Sequence, residues 1–372
     1  MKQNKFKKTT CQLLESADIQ INGQHPWDIR VHNENFYERV LTKGSLGLGE
    51  SYMEGWWDCE KLDEFFCRIL LKKLDGAVIS FGDSLKILKA RLINMGKRSK
   101  AFEIGKRHYD IGNRLYRRML DKLMIYSCGY WKNAADLDQA QEHKLDLICR
   151  KLHLKAGMRL LDIGCGWGGT ARYAAEKYGV KVDGITVSEQ QASFAKNLCR
   201  GLPVEIRMQD YRSLEGIYDR IVSVGMIEHV GVKNYDVFFK IAREHLTNDG
   251  LFLLHTIGSN ESEVNVDAWI DRYIFPNSMI PSGKQLLEAS ESDFIMEDWH
   301  NFGADYDKTL MCWYHNFESG WKELKKNYDE CFHRMWKYYL LACAGCFRAR
   351  QLQLWQVVFS PEGHLGGYTK QL

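Results

Sequence analysis

The chain has 372 residues, 45% of them apolar, enough for two domains with a sizeable core, and it lacks any run of about 18 uninterrupted apolar residues that would span a membrane. A formal charge of +3 without a long basic stripe argues against nucleic acid as a partner, and this apolar content argues against wholesale disorder. Eleven cysteines, odd in number and scattered, follow an N-terminus that is basic but leads into no apolar h-region, so they read as thiols of a cytoplasmic protein rather than as a disulfide framework.

Residues 1–95 read as a small, mostly helical N-terminal domain, with a glycine-rich run at 44–49 and an aromatic cluster of Tyr52, Trp56 and Trp57. Lys2, Lys5, Lys7 and Lys8 form a cationic tip that an anionic lipid surface would attract by about 1 kcal/mol per charge; a solvated terminus is the plainer reading. Asp-Gly and Gly-Asp breakers within 72–84 and the basic stretch 94–100 bracket a linker, which leaves 96–372 as the larger domain. Helical patterns cover about 101–121 and 138–153. From 158 to 257 strands and helices alternate, the signature of a Rossmann-like α/β domain with a mostly parallel sheet and right-handed crossovers. Residues 265–322 mix helix and loop, 323–350 is a basic helical stretch, and 352–359 reads as a final strand. The sole CxxC, Cys343 to Cys346, has no second pair or histidine cluster to complete a zinc site, so no metal is expected.

The chemistry concentrates at the ends of the strands. An apolar strand at 160–163 runs into Gly164-Cys165-Gly166-Trp167-Gly168, whose glycines supply positive φ and close backbone approach where a helix begins, as a nucleotide-binding turn requires. Asp162 ends that strand, placed to accept from a cofactor amine or to orient a turn amide. The next strand, 180–186, ends at Thr186, where an acid that holds ribose hydroxyls is usual; that contact falls instead to Thr186, Ser188, Glu189 or Gln191. Asp210 and Tyr211 follow the third strand and suit an adenine edge. This series of turns points to S-adenosylmethionine rather than a nicotinamide. Glu228 follows the fourth strand and His255 ends the fifth, so topology carries both towards one crevice, and a carboxylate there needs a partner.

Gly44-Ser-Leu-Gly-Leu-Gly-Glu-Ser-Tyr-Met-Glu-Gly-Trp-Trp57, His108-Tyr-Asp-Ile-Gly-Asn113, Tyr126-Ser-Cys128, the glycine turn, Gly225-Met-Ile-Glu-His-Val-Gly231, Asn301-Phe-Gly-Ala-Asp-Tyr306 and Phe347-Arg-Ala-Arg350 together resemble the cyclopropane-fatty-acyl-phospholipid synthase family over about residues 12–360. The resemblance implies methyl transfer from S-adenosylmethionine to a cis double bond in an acyl chain of a membrane phospholipid, with the proton of the new methyl removed by bound bicarbonate as a cyclopropane ring closes. It carries over Cys128, Glu228, His255, the backbone at Ile257, and Tyr306 as the bicarbonate cradle. For the cofactor it points to Tyr126, Ser127, Asp162, Gly164, Cys165, Gly166, Gly168, Thr186, Ser188, Gln190, Gln191, Asp210 and Tyr211. Cys343 matches a cysteine once proposed as a nucleophile, yet direct transfer to an alkene needs no covalent enzyme intermediate, and a buried structural thiol accounts for it. The family further implies a homodimer, peripheral on the inner face of the cell membrane. A lipid C-methylase that leaves a methyl branch or a methylene is the competing reading.

Overall fold

The computed structural model describes residues 2–74, 112–263 and 266–371. In chain order the elements are α1 (Lys2–Ser16), β1 (Ile29–Val31), α2 (Phe36–Met53), β2 (Trp57–Cys59), α3 (Leu62–Leu71), α4 (Asn113–Met119), α5 (Leu137–Lys151), β3 (Arg159–Ile163), α6 (Gly169–Tyr178), β4 (Lys181–Thr186), α7 (Glu189–Leu198), β5 (Val204–Met208), β6 (Tyr218–Val224), α8 (Tyr235–Glu244), β7 (Leu246–Ser259), α9 (Ala268–Tyr273), α10 (Gly283–Ser290), β8 (Ile295–Asn301), α11 (Ala304–Leu324), α12 (Glu330–Arg348) and β9 (Leu352–Ser360). By contacts they form two compact units. One comprises Met1–Ile93, Val264–Pro276 and Tyr306–Leu352, and the other Asn94–Glu263, Asn277–Asp305 and Gln353–Leu372.

The second unit is built on a seven-stranded sheet of order β5-β4-β3-β6-β7-β9-β8. Strands β3 to β7 pair in parallel, as the alternation of strands and helices predicts, while β8 and β9 are antiparallel. The chain leaves β3 towards β4 and β5, then returns to its other side for β6 and β7. The order therefore reverses beside β3, and ligands in such sheets bind outside the carboxyl ends of the strands at that reversal. Both faces are covered. Phe238, Phe239, Phe252, Phe294 and Phe359 lie on one, Leu152, Leu160, Ala171, Val182 and Leu253 on the other, which is why these strands are apolar without alternation.

The first unit gathers the N-terminal helices with segments that the sequence reading gives to the larger domain. Helix α12 packs on α2 and α3. A Cβ at Gly345 would lie 2.5 Å from Asp63 O, so only glycine permits this approach. Arg348 grips both carboxylate oxygens of Asp307, at 2.9 and 3.0 Å, and reaches Asp63 and Glu64 as well. Here the Phe-Arg-Ala-Arg motif is a clamp between helices. The expected linker and boundary near residue 95, and His108 to Ile111 of the second motif, lie outside the described residues. The glycine run 44–49 lies within α2, kinked at Gly44. Strands β1, β2 and β8 were not expected. The first two are three residues long, too short to show a period of two, and β8 reads Ile-Met-Glu-Asp-Trp-His-Asn with little apolar patterning. Among the described residues no helix is long and apolar enough to cross a membrane.

Candidate active site

A pocket opens at the carboxyl ends of β3, β4, β5 and β6. Its lining includes Tyr126, Ser127, Asp162, Gly164, Cys165, Gly166, Thr186, Gln191, Asp210 and Tyr211, which the sequence reading gives to the cofactor, together with Ile125, Trp167, Arg212, Met226 and His229, to which it gives no cofactor contact. Gly164, Gly166 and Gly168 take φ of 83, 54 and 87°, as the turn demands. The amides of Gly164 and Cys165 both donate to Ile185 O, at 3.0 and 2.9 Å, tying the turn to β4. Approach to a ligand therefore falls to the next residues of the turn.

Three cofactor candidates stand outside the lining. Gly168 is the left-handed N-cap of α6 and packs on α7, where an added Cβ would come within 2.9 Å of Ala195 Cβ. Ser188 caps α7 and accepts from the Gln191 amide at 3.3 Å. Gln190 is half-buried on the first turn of α7. Thr186, standing where an acid is usual, donates from Oγ1 to Gln191 Oε1 at 2.8 Å and so orients that amide side chain. Asp210 is held in a fork by Arg212, with both contacts at 2.8 Å. The Tyr211 hydroxyl is buried with no partner among the described residues, and burial pushes its pKa up to about 12.

The loop 121–130 forms the facing wall. Asp121 accepts from the amides of Leu123 and Ile125, each at 2.8 Å. That loop lies on Gly169, where an added Cβ would meet Leu123 O at 2.6 Å and run into the Ile125 side chain. Gly169→Ala is therefore expected to displace the pocket wall and to weaken S-adenosylhomocysteine binding roughly tenfold, read by calorimetric titration. Unchanged affinity would show that the loop yields freely. Asp162 is 1% exposed, and its Oδ2 has no partner among the described residues. Burial pushes its carboxyl up to about 7, partly opposed by Lys144.

Past β6, Glu228 sits in a 3-10 turn (Ile227–His229) with its backbone held by the Met279 amide, which donates to Glu228 O at 2.7 Å. Its side chain is buried. Oε1 accepts from the Ile257 amide at 2.8 Å, Oε2 has no partner among the described residues, and burial raises the pKa to about 7 against the lowering effect of that amide. The Ile257 N–H is thus already engaged by Glu228, so an anion would have to share it. His255, two residues earlier on β7, pairs across with Val224 of the pocket rim. It is 1% exposed, and burial, with Lys144 and Lys151 nearby, holds its pKa well below the usual range, so the ring is neutral. Gln356 of β9 places its amide nitrogen 3.3 Å from His255 Nδ1. With that amide donating, Nδ1 accepts and the ring proton sits on Nε2, which is buried and has no partner among the described residues. Cys128 is fully buried and donates to Gly129 O at 3.1 Å.

Tyr306 and Cys343 belong to the other unit. The Tyr306 ring packs 4.5 Å from Phe347, and Cys343 is a thiol raised by burial on α12, which disfavours the thiolate a nucleophile needs.

Fold and pocket together define a class, the S-adenosylmethionine-dependent methyltransferases, and known proteins agree. A family model described as mycolic acid cyclopropane synthetase matches residues 96–357. The chain is 57% identical over 350 residues, 94% of its length and 92% of the relative's, to the cyclopropane-fatty-acyl-phospholipid synthase of Escherichia coli (strain K12). Among solved structures it resembles the cyclopropane synthase MmaA2 of Mycobacterium tuberculosis, with 30% identity and TM-score 0.66 over 69% of this chain and 97% of that one. The mycolic acid cyclopropane synthase CmaA1, complexed with SAH and CTAB, gives 32% identity and TM-score 0.65 over 69% of this chain and 97% of that one. The chain belongs to the mycolic acid cyclopropane synthetase family and is an S-adenosylmethionine-dependent methyltransferase.

Proposed function

We propose that this enzyme converts the cis double bond of an unsaturated acyl chain in a membrane phospholipid into a cyclopropane ring, with S-adenosylmethionine as carbon donor. The 57% identity over nearly the whole chain supports the reaction, and one observation of chemistry carries its ring-closing half. Among the described residues, His255 Nε2–H is a buried donor without an acceptor, and Glu228 Oε2 is a buried acceptor without a donor. Such orphans are rare and costly. Glu228 bonds the amide two residues along β7 from His255, and the two groups complement a small anion that accepts at one oxygen and donates from a hydroxyl. Bicarbonate has that form, and when bound it supplies a base inside a site closed to water. Glu228, His255 and Ile257 would hold it, with Cys128 of the same unit joining them in the set that the family resemblance assigns.

The alkene is a weak nucleophile, so alignment is the main task of the pocket. Thr186 and Gln191 would set the ribose, Asp210 and Tyr211 the adenine, and Tyr126, Ser127 and Asp162 the amino-acid end. The C–S bond breaks as the new C–C bond forms, and the cation left on the chain closes its ring as a methyl proton departs. The acyl chain lies in a bilayer, so the enzyme works as a peripheral membrane protein on its inner face, as a homodimer.

Mass spectrometry of unsaturated phospholipid vesicles incubated with the protein and S-adenosylmethionine, with bicarbonate supplied or stripped, tests the proposal. The expected result is a gain of one CH2 that resists hydrogenation and falls when bicarbonate is stripped. A methyl branch or exocyclic methylene in its place would refute ring closure while leaving methyl transfer intact.

A further inference from the structure

Helix α5 carries a lysine in the interior that no motif singles out. Lys144 is wholly buried, and its ammonium donates to Ser127 Oγ at 2.9 Å. Gln141, one turn earlier, donates to Ser127 O at 2.8 Å, so two side chains of α5 hold this one residue. Among the described residues no carboxylate forms an ion pair with Lys144. A buried cation resting on one neutral hydroxyl is incompletely compensated.

The bond also fixes a direction. Because Ser127 Oγ accepts from Lys144, its own O–H must donate elsewhere, and Ser127 lines the pocket. Sheet order locates that wall. The ends of β5 and β4 carry Asp210, Tyr211, Thr186 and Gln191, whereas the loop before Ser127 presses on Gly169, beyond the end of β3. With the nucleoside over β4 and β5, the amino-acid end of the cofactor comes to Ser127, and its carboxylate is the missing anion.

We propose that Lys144 is a positioning residue that, through Ser127, recognises the carboxylate of S-adenosylmethionine. The inference rests on the cofactor reading of the pocket. Asp121, Cys128 and Asp162 act on Lys144, and it acts in turn on His255. Asp121 is already occupied by two backbone amides. Burial brings Lys144 down to about 8. Above that value the neutral amine accepts the Ser127 proton, and the hydroxyl turns an oxygen lone pair towards the carboxylate.

Calorimetric titration of the full chain with S-adenosylhomocysteine and with 5′-methylthioadenosine, which keeps the nucleoside and thioether but lacks the carboxylate, tests this. Lys144→Met is expected to weaken the first ligand roughly tenfold or more and to leave the second within about twofold. Ser127→Ala should do the same, and the double variant little more. Wild-type affinity for S-adenosylhomocysteine should fall between pH 7 and about 9.5, and the part of that fall due to Lys144 should vanish in either variant. Equal losses for both ligands, or no loss for either, would overturn the proposal. If Lys144→Met does not fold, the pH series on wild type and Ser127→Ala decides alone: an identical fall in both overturns it. A wild-type chain that binds no S-adenosylhomocysteine at all would overturn the cofactor reading beneath it.

Discussion

Glu228→Gln is expected to lower turnover by about 10²–10⁴-fold while S-adenosylhomocysteine binding stays within about twofold, and at the same time to raise the melting temperature above pH 7. The two halves share one cause. Glu228 keeps a carboxyl in the interior with the Ile257 amide on Oε1, its own amide and the Thr256 hydroxyl as weaker favourable contacts, and no hydrogen-bond partner on Oε2 among the described residues. Burial lifts its pKa from 4.5 to about 7. Between those values the folded chain holds a proton that the unfolded chain has released, so stability declines as pH rises from 4.5 through 7 and the full penalty applies above 7. Glutamine bears no such penalty. The gain in melting temperature should be present at pH 8 and shrink towards pH 5. Catalysis runs the other way, since the ionised form is the one that accepts a hydroxyl from an anion, and turnover should rise with pH through about 7. Glutamine offers one acceptor oxygen where the carboxylate offers two, so it cannot serve both the Ile257 amide and the anion's hydroxyl, and it carries no charge. A variant that keeps more than half of the activity would remove Glu228 from the chemistry; one that loses activity without the pH-dependent gain in stability would mean that the carboxyl is better compensated than its orphan oxygen implies.

How much of this site was legible depended on whether a residue's role is local. The glycine turn was readable because φ near 83° at Gly164 and 87° at Gly168 is a demand that residues 160–169 express by themselves. Thr186 stood out for a similar reason, as a hydroxyl where an acid is usual, and its bond to Gln191 spans only five residues. Lys144 and Gln356 were not readable. Each matters through a partner distant in sequence, Ser127 at a separation of 17 and His255 at 101. A trace existed in α5, where Gln141, Lys144, Ile148 and Lys151 fall on one helical stripe and all are buried. Polar residues on such a stripe look like a solvated face until the sheet is placed against them. The fold followed the same rule. The parallel strands announced themselves as apolar runs, whereas the assignment of 306–352 to the unit of the N-terminal helices rests on Arg348 reaching Asp63 and Glu64 and on Gly345 lying against Asp63 O. Those are contacts that no local pattern encodes.

The lower end of the α5 stripe carries the largest expected effect on stability. Lys151 and Asp298 form an ion pair at 3.0 Å with side-chain exposures of 0% and 4%. Asp298 is placed by the edge strand β8, opposite Val358 of β9 beside a register shift, and Lys370 approaches its other oxygen at 3.4 Å. Burial, with lesser contributions from the charges of Lys370 and Arg150, drives Lys151 down to about 8 despite the carboxylate beside it. Asp298→Ala leaves that ammonium in the interior without its counter-charge, which costs about 3–5 kcal/mol and should lower the melting temperature by roughly 10 °C. The pair is not thereby a large net source of stability, because bringing two charges out of water offsets most of their attraction. Replacing both partners distinguishes the two statements: Lys151→Met with Asp298→Leu fills the volume with apolar atoms and should recover most of the loss or exceed the wild type. Recovery bears on the site as well, since burial keeps His255 neutral and Lys151 is one of two cations that add to it. With its charge removed the imidazole gains proton affinity, and any acid limb of the activity profile moves to higher pH. A single variant that unfolds no earlier than wild type, or a double variant no better than the single, would mean that β8 is held by its pairing with β9 and that the buried charges contribute nothing to its place.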